Sequence, residues 1–302
     1  MYRASAVAHR HYQDDRVDAD WRFDRVETTV SHLLRERHPA LAGRAYGPAL
    51  LDGLDARGDG PGESGVVWEI GGGAGWLAAT CLEARPDLKW GGIDLSRAAL
   101  KAQRDRGAGT HLRADCRALP LRQGSVGGLL LANEVIADLP VEEGRNVGAL
   151  GFVAEVGRVL TPGEGRAVII EFGSPAPGAS VEGVPMWGAG GVGDHTEWTI
   201  RFADLIEEAE RCGISAECVP LFDLLEVDRS VRVASSLDLR RLQAAGGKAP
   251  TIARTADEIR RRHPVLTRLF EFEFPKIGSG RWPDPGAKVG ASEAFWALIL
   301  KA

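Results

Sequence analysis

At 302 residues the chain has room for one enlarged α/β core or two domains, and a hydrophobic share of 44% is enough to bury a core. Its net charge of -5, with acidic residues interleaved among the basic ones, speaks against nucleic acid or an acidic membrane surface as partner. Cys81, Cys116, Cys212 and Cys218 form no Cys-x-x-Cys pair and have no histidine at ligand spacing, so reduced thiols are expected and a structural zinc is not.

Residues 1–20 are polar, lack the apolar run of a signal peptide, and are expected to be loosely ordered. No later stretch reaches membrane-spanning length, so a cytoplasmic protein is expected. Over residues 21–37, Phe23, Val26, Val30, Leu33 and Leu34 recur at helical spacing, and His38-Pro39 ends that helix. A second short helix is predicted over residues 48–54, then a Gly/Asp/Pro/Ser linker to residue 65. Residues 66–70 read as a buried strand, followed by glycines and a helix over 76–84. Strands over 90–94, 111–114, 128–132 and 167–172 follow, with helices over 96–106 and 149–160. This alternation predicts an α/β, Rossmann-like, doubly wound and mostly parallel sheet with helices on both faces.

Downstream, an amphipathic helix is expected over 202–212, with strands over 219–227 and 294–300. Between those strands, residues 235–284 read as an insertion with its own helices; one starts at Thr255, at capping-box spacing from Glu258, and ends at His263 before Pro264. The expected organisation is an N-terminal helical extension over 1–64, a core over 65–234 plus 285–302, and the insertion.

Chemistry concentrates first at Glu69-Ile70-Gly71-Gly72-Gly73-Ala74-Gly75. A strand ending in an acid, then glycines, then a helix lets backbone approach a ligand closely and offers it the free N–H groups of a helix start. Such a loop alone is shared by several nucleotide-binding chemistries. Here Asp94 ends the next strand, where a carboxylate can accept ribose hydroxyls or cap the following helix. Asp115-Cys116 follows the third strand, and the fourth runs into Asn133-Glu134. A nicotinamide dehydrogenase is disfavoured because Glu69 stands two residues before the glycines and nothing is set for hydride transfer.

Residues 66–78, with Gly92-Ile93-Asp94-Leu95-Ser96, Ala114–Pro120 and Arg158–Gly163, resemble the class I S-adenosylmethionine-dependent methyltransferases. The resemblance implies that Glu69, Gly71, Gly73 and Gly75 hold the methionine part of S-adenosyl-L-methionine. It also implies that Asp94 binds the ribose, Leu95 packs on the adenine, Asp115 and Cys116 meet its edge, and Asn133 and Glu134 flank the sulfonium. Residues 133–140 and 195–198 resemble, more narrowly, the arginine methyltransferases of the complex I assembly factor type. Those proteins carry an acid directly before Ala-Leu-Pro, whereas this chain has Asp138 one position later.

The acceptor side is expected in the glycine-rich loop over 183–198. There His195 is a candidate proton acceptor, with Glu197 to orient it, and the competing reading makes His195-Thr196 a helix cap. Trp187 and Trp198 would shape a pocket, or Trp198 join the core. Glu134 and Glu171 complete the catalytic candidates, and Tyr2, Tyr12, Trp21 and Phe23 would suit a lid. The expected function is methyl transfer to a small molecule, in specialised bacterial metabolism, by direct displacement at the sulfonium methyl. A protein methyltransferase and a fold turned to non-methylating chemistry or to binding are the alternatives; no metal is expected, and a homo-oligomer stays open.

Overall fold

A computed structural model describes residue 37 and residues 41–188, 191–228 and 295–302. All but the last residue of the predicted helix over 21–37, the four lid aromatics and the 235–284 insertion with its helix from Thr255 lie outside the described residues.

The elements follow from local sequence. Helix α1 (Tyr46–Ala56) turns Tyr46, Leu50, Leu51 and Leu54 inward. Strand β1 (Val66–Ile70) leads through the glycines into α2 (Trp76–Ala84). Strand β2 (Lys89–Asp94) precedes α3 (Arg97–Asp105), where Ser96 is the N-cap and its hydroxyl accepts from the Ala99 N–H. Ser96→Ala should therefore cost about 1 kcal/mol in urea denaturation, and an unchanged midpoint would deny the cap.

Strand β3 (Thr110–Arg113) is an edge; β4 (Leu129–Asn133), a short 3-10 turn (Ile136–Asp138), α4 (Val147–Val159) and β5 (Arg166–Ser174) follow. Beyond them come β6 (Gly183–Gly188), β7 (Gly191–Trp198), β8 (Ile200–Arg201), α5 (Phe202–Arg211), β9 (Ser215–Pro220), α6 (Leu221–Leu224) and β10 (Phe295–Lys301).

The main sheet runs β3-β2-β1-β4-β5-β10-β9, with β8 beside β5. Its members from β3 to β5 are parallel, and β10 runs antiparallel to both β5 and β9. The expected doubly wound, mostly parallel sheet is thus present, with the strand order turning around between β1 and β4.

Period-two alternation splits the core into two layers. Leu129 and Leu131 of β4, Val168 and Ile170 of β5, and Ala297 and Ile299 of β10 join the face covered by α1, α2 and α6. Leu130, Ala132, Ala167, Ile169, Leu298 and Leu300 join the opposite face, with Phe152 and Val156 of α4 and Phe202 and Leu205 of α5.

Two expectations change. The apolar run over 219–227 is not one strand: β9 stops at Pro220, and Leu221, Phe222 and Leu224 bury as a helical turn. The glycine-rich stretch over 183–198 is not a loop but a hairpin, β6 paired antiparallel with β7, with a register irregularity between Met186 and Trp187. Among the described residues, no helix is long and apolar enough to cross a membrane.

Candidate active site

In open parallel sheets the crevice beyond the carboxyl ends of the strands, at the reversal of strand order, is where ligands bind. The glycine loop leaves β1 at that reversal. Gly71, Gly73 and Gly75 have φ of 66°, 50° and 80°, the left-handed region that side chains other than glycine adopt reluctantly. Gly75 is the N-cap of α2, and no side chain caps that helix. A β-carbon on Gly71 would stand 2.7 Å from Val135, so the loop lies directly against the segment that follows β4.

Glu69 lies directly against this loop. Its side chain is buried, Oε2 accepts from the Trp90 indole N–H at 2.9 Å, and a β-carbon on Gly72 would come within 2.8 Å of its carboxyl carbon. Burial, together with the nearby Asp94 charge, pushes the carboxyl up to about 7 against the indole hydrogen bond.

Asp94 ends β2 beside the loop. Its Oδ1 accepts from the Ser96 N–H at 2.8 Å, and its Oδ2 from the Gly73 N–H at 3.3 Å and the Gln103 amide at 3.2 Å. Burial raises it to about 6, partly offset by those donors. It thus touches the glycine loop and also holds the backbone leading into α3. Leu95 follows, half-buried, its carbonyl accepting from Arg113.

Asp115 and Cys116 come next to Asp94 through β3, where the Ala114 N–H donates to the Asp94 carbonyl. Asp115 is turned onto its own turn, accepting from the Arg117 N–H and forming a two-toothed pair with the Arg117 guanidinium. Burial pushes the Cys116 thiol up to about 12, so it stays protonated and uncharged.

At the end of β4, Asn133 Oδ1 accepts from the Tyr46 hydroxyl at 2.6 Å while its amide donates to Glu134 at 3.0 Å. Glu134 takes a left-handed φ of 54°, uncommon for a residue with a β-carbon, with its N–H donating to the Ile170 carbonyl. Glu171, at the adjoining end of β5, is buried, its oxygens accepting from the Ala137 and Phe172 N–H groups. Burial first, then the charges of Glu134 and Glu197, holds it well above the usual carboxylate range. The carboxyls of Glu134, just past β4, Glu171 in β5 and Glu197 in β7 are therefore coupled. Among the described residues, no group of histidine, cysteine or acidic side chains is arranged to hold a metal ion.

His195 pairs in backbone register with Met186 within the hairpin. That position excludes the capping reading, because the next helix starts at Phe202 with Arg201 as its N-cap. Trp198 ends β7, half-buried.

Three residues of the site were not foreseen. Tyr46, Trp90 and Gln103 act through contacts across 87, 21 and 9 to 30 positions, spacings that no local pattern encodes. Tyr46→Phe should cost about 1 kcal/mol in denaturation, by leaving Asn133 without its buried donor; no change would mean the hydroxyl contributes nothing there.

No known protein family and no curated protein matches the chain by sequence. Among solved structures, it is similar to DesVI of Streptomyces venezuelae, 17% identical over 59% of this chain and 87% of that one, with a TM-score of 0.43. It is also similar to the glycopeptide N-methyltransferase MtfA complexed with (S)-adenosyl-L-methionine, at 18% identity, 57% and 86% coverage, and a TM-score of 0.42. A third is the [4+2]-cyclase SpnF, at 15% identity, 78% and 72% coverage, and a TM-score of 0.39. At such scores the fold class rests on the chain's own strand order. That order is a Rossmann-like, doubly wound, mostly parallel sheet with one reversed strand.

Proposed function

We propose that the chain is an S-adenosyl-L-methionine-dependent methyltransferase acting on a small molecule. The observation that carries this reading is the union of the glycine loop with the acid of β2, through the Gly73 N–H and Asp94, at the point where the strand order turns around. A loop of left-handed glycines before an uncapped helix, with a carboxylate beside it, fits a nucleoside that carries a polar tail.

In this reading Asp94 accepts from the ribose, Leu95 packs on the adenine, and Asp115 and Cys116 meet its edge. Glu69, Gly71, Gly73 and Gly75 hold the methionine end together with Asn133. When bound, the cofactor supplies a methyl group already activated by its sulfonium. The protein then has to align an acceptor with the methyl–sulfur axis and exclude water.

Glu134 and Glu197, whose charges both reach the buried Glu171, lie on the acceptor side in this reading, which favours an acceptor carrying an amine. A carboxylate there would take a proton where the acceptor must lose one, with Glu134 the more accessible candidate and Glu171 buried behind it. His195 stays a candidate for the same task. The same field would also receive a protein guanidinium, which is the second reading.

Calorimetry with S-adenosyl-L-methionine and with S-adenosylhomocysteine tests the cofactor, and binding of neither would end this reading. Transfer of labelled methyl to small amines in preference to Arg-containing peptides is the expected outcome. The reverse preference would select the protein methyltransferase.

A further inference from the structure

We infer that Gln103 is a positioning residue of the cofactor site, whose side-chain amide holds the Gly73 carbonyl and the Asp94 carboxylate together as one unit. This rests on the cofactor reading above. Gln103 is 1% exposed and lies on the inner face of α3. Its amide nitrogen donates at 3.2 Å to the Gly73 carbonyl and at 3.2 Å to Asp94 Oδ2. The loop and β2 are fitted to it closely: a β-carbon on Gly75 would meet the Gln103 α-carbon at 2.7 Å, and one on Gly92 its Oε1 at 2.2 Å.

Stability alone does not account for a glutamine here. Its Oε1 is buried and has no hydrogen-bond partner among the described residues. A buried unmatched acceptor is unfavourable, and an unbranched apolar side chain of similar length would fill the space without it. What only the amide supplies is a pair of N–H groups on one nitrogen, aimed at two acceptors that otherwise face each other. The orientation of the amide follows from this, since turning it over would set its oxygen against the Gly73 carbonyl and the Asp94 carboxylate.

The bridge has two effects. It fixes the loop at the height where the Gly73 N–H also reaches Asp94. It also loads Oδ2 with two donors, so a ligand hydroxyl would meet the carboxylate through Oδ1, beside the Ser96 N–H. Glu69 from β1 is a second carboxyl whose charge is coupled to that of Asp94, and Arg113, the register partner of Asp94 on β3, donates to the Leu95 carbonyl.

Gln103→Met keeps the length and removes the donors; Gln103→Glu exchanges them for an acceptor and guards against a misfolded first variant. Two measurements are made on each: the titration of the Asp94 carboxyl by carbon NMR, and S-adenosylhomocysteine affinity by calorimetry. Loss of the amide should raise the Asp94 midpoint by about one pH unit and weaken binding near neutral pH by about ten-fold. Unchanged midpoint and affinity would overturn the inference, whatever the thermal stability. A raised midpoint with no binding by the unaltered protein would instead overturn the cofactor reading and leave the bridge standing.

Discussion

Asp94→Ala is expected to weaken S-adenosylhomocysteine binding by about 2–3 kcal/mol, roughly thirty- to a hundred-and-fifty-fold, the loss of one or two charge-assisted hydrogen bonds. The effect is large because the carboxylate does two things at once. Its outward lone pairs would receive the ribose, and its inward ones already receive the Gly73 and Gln103 donors that set the loop. Alanine removes both, so the loop's N–H and carbonyl lose their common reference. Isothermal calorimetry reads the change directly. Affinity within two-fold of the unaltered protein would place the ribose elsewhere.

Glu69→Gln is expected to stabilise the ligand-free protein at about pH 8 by up to ~3 kcal/mol and to change little at about pH 5. The sign follows from the raised folded value, about 7 against an ordinary 4.5. A carboxyl raised in this way contributes its stability when protonated, and that contribution is lost as pH rises through the folded value. Glutamine carries no charge at either pH, so the benefit of the substitution grows between them. It also retains an oxygen for the Trp90 indole, which limits the loss of packing. Urea denaturation at the two pH values decides the matter. A variant less stable than the parent at the higher pH would show that the buried charge is better compensated than this reading allows.

The elements legible in the sequence were those whose burial is uniform or strictly periodic. Strand β1 was predicted at its observed bounds because Val67 and Ile70 sit deep in a sheet covered on both faces, where a short apolar run has one reading. Helix α5 was legible because Phe202, Leu205 and Ala209 share one buried face. The run over 219–227 misled because Leu221, Phe222 and Leu224 satisfy a helical turn as well as a strand, and Pro220 stops the ladder. Glycine density over 183–198 masked a hairpin, since strand pairing there depends on a partner segment that propensity alone does not see.

The site divides along the same line. Glu69, the glycines, Asp94 and Asn133-Glu134 were legible because each stands where a strand gives way to a loop. Tyr46, Trp90 and Gln103 were not, because each reaches its partner through the sheet or from a neighbouring helix.

The insertion of β10 between β5 and β9 also bears on how the chain assembles during synthesis. Both β5 and β9 leave the ribosome well before Phe295–Lys301, and until that strand arrives each has an open edge with unmatched backbone groups. Strand β9 therefore waits for the last strand to join the sheet, while β1 to β5 can pair as they emerge. A nascent chain of this kind is most exposed to edge-to-edge aggregation in the interval between those two events. Slowing translation across residues 229–294 would lengthen that interval, whereas slowing it before β1 would not.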